Sequence, residues 1–515
     1  MSVDAFRGRQ GLSKTPPSIP ARAAYQIVVR VAPSARTSSP FPNVDARRRN
    51  ADSSESGRSK RKGRGAPATG RRFAGGLRRA AVSAFRRGAP AHKHYGQCDG
   101  RKIAVMHSGL RMPYRFDLAQ LYDAEDPFPV YDDLRARGPI CRAGGNQWLV
   151  LSYRDVARHL KNPSLEQFQL RGVLRQFPAS SELQTLSTSP AAEFTQRILA
   201  GLDGGEHKAL RQIMAVALRP AFARLGDIVS EEAARLIADL HGRTSLDAIP
   251  DIAFPFPLAV MGRLVGVPET WRETIGRDCL ALAEIFKNSY TSGDRQFVDG
   301  ALARLRDRIG ELIDRRLHGR EDIGTEPSFI ARFAELAGGE YARDVLVDNT
   351  IFLLFAGFET SLNLIANAID ALLDFPDQAA FLAGSPGLMP GAIDEFLRYR
   401  SPVHFTGRLT VAPVVIAGQS IAPGRVIYLG LASANRDPDE FPQPSQLRLD
   451  RTPNRHVAFG EGPHQCLGTA IARKEAEGLF RAFLQAFPRI ERAGPALRIR
   501  SFTFRTLTTL PFRIA

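Results

Sequence analysis

Ten residues near the C-terminus constrain this chain more than any other stretch: Phe459-Gly460-Glu461-Gly462-Pro463-His464-Gln465-Cys466-Leu467-Gly468. Three glycines and a proline make a tight loop whose backbone can come close to something flat and bulky. The pattern that follows predicts a helix from Leu467 through Phe480, with Cys466 at its start. A helix N-terminus offers free N–H groups and positive potential, which stabilise a thiolate. A thiolate held this way can ligate iron and push electron density toward it, favouring O–O cleavage. A plainer reading of the same residues is a buried structural cysteine after a glycine-rich turn. A dinucleotide-binding G-x-G-x-x-G is excluded, because Gln465 stands at the third glycine position.

The formal charge of +17 would suggest nucleic acid or an anionic membrane as partner, but it is local. Residues 1–110 hold 23 Lys and Arg against 5 Asp and Glu, whereas the other 405 residues hold 47 against 48. The body is electrically balanced, and a nucleic-acid partner for it loses its support. Residues 1–110, rich in Arg, Ala, Gly, Ser and Pro, cannot bury enough apolar surface to offset their ordering entropy and are expected to be disordered. Three readings of this leader stay open: a targeting presequence, a nucleic-acid-binding tail, or a start assigned too early, with Met106 or Met112 beginning the working protein. Cys98, Cys141, Cys279 and Cys466 lie far apart with no C-x-x-C pair, which argues against a disulfide framework or a zinc site and suits a reducing cytoplasm. No stretch reaches the roughly 18–20 uninterrupted apolar residues of a membrane span.

The body, residues 111–515, reads as mainly helical. Helices are expected over Pro129–Arg137, from Ser152, and around Ala209–Arg219, Ile228–Leu240 and Val298–Leu317. A long helix, Ala342 to Leu373, ends at Phe375-Pro376, and a shorter one, Gly391 to Tyr399, stops before Pro402. Strands are expected over Asn146–Leu151, Arg408–Ile416 and Val426–Leu429. With no internal repeat, this makes one large, mainly α domain with small β-sheets (α+β).

The cysteine segment resembles the haem-binding loop of the cytochrome P450 family, F-G-x-G-x-H-x-C-x-G, at every fixed position. Other segments match the family in the same order. Ala356-Gly357-Phe358-Glu359-Thr360 resembles its A-G-x-[DE]-T oxygen-activation motif. There Ala356 and Gly357 are expected to leave room for dioxygen, Thr360 to bond the carbonyl four residues back, and Glu359 to relay protons. Glu395-Phe396-Leu397-Arg398 resembles the structural E-x-x-R pair, with Arg451 as its third member. Arg448 stands where bacterial relatives usually carry Asp, which leaves the triad partner less defined. His207 and Arg211 match the H-x-x-x-R helix; with Arg408 and His464 they are the expected contacts of the haem propionates. Phe459, Ala356 and Gly357 complete the expected haem contacts, and the resemblance covers about Phe116 to the C-terminus.

The resemblance implies a soluble, monomeric, cytoplasmic haem b monooxygenase of the bacterial type, with the P450 fold and Cys466 as the iron ligand. Its electrons come from NAD(P)H through an external partner, a ferredoxin with its reductase, since the chain ends 49 residues beyond Cys466. Lys208, Arg455, Arg473 and Lys474 are the expected basic docking patch. The pocket is expected to be lined by Gln167–Ile198, the region near Phe254–Tyr290, Val403–Phe405 and Phe502–Phe504. Those stretches are largely apolar and suit a polyketide, terpenoid or fatty acid. Two other readings are a haem-thiolate ligand or gas carrier without turnover, and a peroxide-driven oxygenase. The Glu359-Thr360 pair speaks against both.

Overall fold

The computed structural model describes residues 114–167, 189–286, 292–318 and 328–514. The basic leader lies outside these residues, as do 168–188 and 287–290 of the expected pocket lining.

Twelve helices used below carry the body: α1 (Phe128–Arg137), α2 (Tyr153–His159), α3 (Pro190–Arg197), α4 (Gly204–Ala223), α5 (Leu225–Leu240), α6 (Pro255–Val265), α7 (Glu269–Leu282), α8 (Ser292–Leu317), α9 (Phe329–Ala337), α10 (Arg343–Asp374), α11 (Met389–Tyr399) and α12 (Thr469–Ala486). Their starts follow from local chemistry. Ser152 caps α2 by accepting the Asp155 N–H at 3.4 Å, and Ser189 caps α3 by accepting that of Ala192 at 3.2 Å. Pro190 sits at the first turn of α3, where no N–H is needed. At the other end of α10, Phe375 leaves helical geometry because Pro376 disfavours it in the preceding residue.

The long helix α10 is the axis of the fold. Its side chains are buried nearly all round, and it touches α3, α6, α7, α8, α9, α11 and α12. Among the described residues it is also the one single helix long and apolar enough to cross a membrane. Protein surrounds most of it, as for the central helix of a packed core.

A five-stranded mixed sheet packs beside the helices: β1 (Ile140–Arg142), β2 (Gln147–Val150), β3 (Leu165–Gln167), β4 (Phe405–Thr410) and β5 (Val426–Gly430). The order is β1-β2-β5-β4-β3, with β2 and β5 parallel and the other pairs antiparallel. All five residues of β5 are buried, as expected for a strand covered on both faces. One expected strand is corrected. Arg408–Ile416 is not continuous: the chain leaves β4 at Thr410, and Val414–Ile416 pairs instead with Gln419–Ile421. The connecting residues Ala417 and Gly418 have φ of 47° and 77°, the left-handed pair that a two-residue hairpin requires.

Candidate active site

The cysteine loop is folded by its own backbone. Gly460 and Gly462 take φ of 65° and 77°, which a side chain would strain. A Cβ on Gly462 would also lie 2.8 Å from Lys161 Cγ and 3.2 Å from the Leu160 carbonyl. The loop is thus pressed against the residues that follow α2. The Cys466 N–H donates to the Phe459 carbonyl at 2.9 Å, closing the loop across its neck. The expected helix start is corrected here: α12 begins at Thr469 with Gly468 as its cap, so Cys466 precedes the helix. The Thr469 hydroxyl donates to the Cys466 carbonyl at 2.8 Å and ties the two together.

The Cys466 side chain is accessible to solvent yet hemmed in by protein on most sides. Burial pushes its thiol above the ordinary value; the Gly468 amide, the Thr469 hydroxyl and the charge of Arg211 pull the other way.

Four of the expected basic residues gather beside this loop, from three separate parts of the chain. His207 and Arg211 come from the first turns of α4, Arg408 from β4, and His464 from the loop itself. The rings of His207 and His464 lie 4.1 Å apart, and Arg211 donates to the Gln465 carbonyl at 2.7 Å. Arg408, opposite Gln167 in the β3–β4 ladder, donates to its side chain at 3.0 Å. Burial lowers Arg408 to about 10. Burial first, then the neighbouring His464 and Arg211, hold His207 down at about 4. Sequence reasoning missed the acidic member. Asp203, at the start of α4, engages His464 Nε2 at 2.9 Å and accepts the Gln167 N–H at 2.9 Å. Its signal was a lone Asp at the N-cap position, three residues before the Glu206-His207 pair.

In α10 the Thr360 hydroxyl donates to the Ala356 carbonyl at 2.7 Å. Glu359 is 2% exposed, and Asn363 Nδ2 lies 3.4 Å from its Oε1. A Cβ on Gly357 would lie 2.5 Å from Met261 Cε, at the end of a flexible side chain of α6. Gly357 lies where α6 and α10 meet. One residue after Thr360, the Ser361 hydroxyl donates to Glu475 of α12 at 2.6 Å, so the motif helix is bonded to the helix following Cys466. Burial pushes that Glu475 carboxyl up to about 8.

Glu395 and Arg398 form a two-bond ion pair at 2.7 and 2.8 Å, both side chains fully buried. Arg451 Nε lies 3.1 Å from the same carboxylate, and Arg398 also donates to the carbonyls of Asn435, Pro444 and Gln446. Arg448 gives Glu395 only its backbone N–H, while its side chain pairs with Asp450.

Three of the expected pocket stretches meet just upstream of Ala356. Phe286, which ends the turn after α7, stacks on Phe355 with centroids 5.5 Å apart and planes 3° from parallel. Phe504 meets Phe286 edge-on at 6.3 Å and bridges to Val403. A separate cleft of about 820 Å³ lies between α3, α8 and α10. Its walls are ions that already satisfy one another, such as Arg306 with Asp348 and Arg343 with Asp314, and no residue of the cysteine loop lines it.

Comparison with known proteins agrees with this arrangement. The family model described as Cytochrome P450 matches residues 387–494. The polyketide biosynthesis cytochrome P450 PksS of Bacillus subtilis is 30% identical over 72% of this chain and 90% of its own length. The cytochrome P450 monooxygenase PikC of Streptomyces venezuelae is 33% identical over 71% and 85%. Among solved structures, P450BioI in complex with a hexadec-9Z-enoic acid-ligated acyl carrier protein superposes with a TM-score of 0.69 at 28% identity, covering 76% of this chain and 99% of that one. The fold, the loop and these relatives together place the chain in the cytochrome P450 family of monooxygenases.

Proposed function

We propose that this protein inserts one oxygen atom into a hydrophobic small molecule, with Cys466 as the thiolate ligand of haem b and with electrons from an external ferredoxin and its reductase. The observation that carries this reading is the closed loop presenting Cys466 next to a cluster of four basic side chains. The donor set fits haem. Among the described residues no group of three or more His, Cys, Asp or Glu could hold a bare metal ion. A lone thiolate instead suits an iron that brings four ligands in its own macrocycle. His207, Arg211, Arg408 and His464 supply the cations and donors that two propionates need.

Bound haem supplies dioxygen binding and the electron transfer by which one oxygen atom enters the substrate and the other leaves as water. The chain does the rest. Glu359 holds a proton source inside the core, oriented at Oε1 by Asn363. Thr360, by engaging the Ala356 carbonyl, competes with the helix ladder and gives Glu359 a loosened turn through which water can reach it. Ala356 keeps that turn free of bulk, and Phe459 and Gly468 flank Cys466. Glu395, Arg398 and Arg451 have a structural role. The wall of Phe286, Phe355 and Phe504 offers apolar surface, in keeping with polyketide, terpenoid or fatty-acid substrates, and polyketide relatives support that class. Lys208, Arg455 and Lys474 are exposed and suited to an acidic electron donor. Arg473, whose Nε is bonded to Asp394, keeps a partly exposed side chain and stays in that patch. The three described cysteines are free thiols, which fits a reducing cytoplasm.

The test is turnover: purified protein with a surrogate ferredoxin, its reductase and NAD(P)H, screened on apolar substrates under labelled dioxygen. One labelled oxygen atom in the product is expected. Product formed only with added peroxide would favour the peroxide-driven reading, and ligand binding with no product would favour a carrier.

A further inference from the structure

Phe459 opens the cysteine loop, and its carbonyl is the group that accepts the Cys466 N–H. The Phe459 ring is held from two directions. The Arg473 guanidinium lies 4.9 Å from its centroid, and the His456 ring lies 5.9 Å away, tilted by 50°. Both holders are tied to one carboxylate oxygen: Asp394 Oδ1 accepts from Arg473 Nε at 2.8 Å and from His456 Nε2 at 3.2 Å. His456 Nδ1 accepts the Ala458 N–H at 3.2 Å, which leaves Nε2 as the donor toward Asp394. Burial works against charge on Asp394, yet the bonds from His456 and Arg473 hold its carboxyl below the ordinary range. Asp394 adjoins Glu395 on α11 but contributes no bond to that ion pair.

A cation in contact with an aromatic ring acts on the groups beyond that ring as well, and over a few ångströms its field still reaches them beside solvent. Arg473 unbalanced would favour an extra electron at the neighbouring sulfur and metal. Asp394 offsets it.

We propose that Asp394 is a positioning residue for the thiolate site: it seats Arg473 and His456 against Phe459 and balances the charge of Arg473, thereby setting the reduction potential of the iron held by Cys466. The proposal rests on Cys466 being that ligand. It makes two charge changes act with opposite signs. Asp394→Asn keeps the shape and removes a negative charge, so the ferrous-to-ferric ratio at a fixed poise rises several-fold. Arg473→Gln removes the positive charge, and the ratio falls several-fold. The double variant returns close to the parent, and Arg473→Lys, which keeps the cation, stays near it.

The experiment is a spectroelectrochemical titration of the substrate-free haem protein for these variants, after recording each reduced carbon monoxide spectrum. Opposite shifts that cancel in the double variant are the expected result. Shifts of the same sign, or none, overturn the proposal, because a merely mechanical clamp loosens in the same way from either end. If Asp394→Asn does not accumulate as folded protein, Arg473→Gln against Arg473→Lys decides by the sign alone. A parent without its band at ~450 nm would remove the Cys466 reading itself. A parent with the band and unmoved potentials would remove only the role of Asp394.

Discussion

Two charged centres lie within this fold, one sealed and one open to solvent, and they are built differently. Around Glu395, two arginines share one carboxylate, and Arg398 directs its remaining donors at three backbone carbonyls. Every charge there has a partner within the chain, and the pair is sealed from water. Around Asp203, by contrast, only His464 bonds the carboxylate, which is itself a quarter exposed, while His207 lies against His464, Arg211 donates to the Gln465 carbonyl and Arg408 to the Gln167 side chain. Burial disfavours added charge on His207 and weakens it on Arg408. The first centre is complete and its job is to hold elements together. The second carries more cation than the protein balances, and that surplus is what an anionic group such as a propionate would use.

The largest effect should come from breaking the closed centre. Arg398→Ala leaves Glu395 charged in a dry site and should cost about 3–5 kcal/mol, enough to abolish accumulation of folded protein; urea unfolding of whatever is recovered checks this. A stable, haem-binding Arg398→Ala protein would mean the centre is not the keystone its burial suggests.

The open centre should respond through ligand retention, with little change in the fold. Arg408→Leu removes a charged donor worth roughly 1.5–3 kcal/mol, so haem should transfer to an acceptor apoprotein roughly ten- to a hundredfold faster. Unchanged release would break the distinction between the two centres.

A third buried group sharpens the contrast, because Glu475 has a hydroxyl for company and no cation. Burial raises its folded-state value to about 8, above that of the unfolded chain. The folded protein therefore keeps a proton that the unfolded chain releases, and stability falls as pH rises from about 4.5 to about 8. Glu475→Gln, shaped like the protonated acid, should flatten that fall in melting experiments across the same range. A variant with the same slope as the parent would show that Glu475 is ionised.

The smallest effect is expected at Asp203. Asp203→Asn keeps the bond to the Gln167 N–H while adding to the cation surplus, so haem release should change little, within about 0.5 kcal/mol, or become slower. Markedly faster release would mean that Asp203 holds the cluster together.

Much of this was legible in the sequence, for physical reasons. Short-range chemistry reads well: Phe375-Pro376 stops α10, Ser152 starts α2, and the glycines of the cysteine loop mark a turn with left-handed residues. What the sequence concealed depends on distant partners. That Met261 of α6 packs beside Gly357 becomes visible only where the two helices cross. The break in Arg408–Ile416 comes from Thr410, which accepts the Arg425 N–H at 2.8 Å and donates to the Ala422 carbonyl at 2.9 Å, contacts that pull the chain out of the ladder. Nothing in the local sequence joins Asp203 to His464 or Asp394 to the His456–Arg473 pair, because these partners are distant along the chain. Helix α12 starts later than its apolar pattern suggests because Gly468 serves as the cap.

The central claim is that Cys466 binds iron as a thiolate, and the reduced carbon monoxide-bound absorption spectrum tests it most directly. Purified parent protein should show a Soret band at ~450 nm, and Cys466→Ser should lose it. A parent band at ~420 nm in gently prepared protein, or a band that survives the substitution, would contradict thiolate ligation by Cys466 and the oxygenase mechanism built on it.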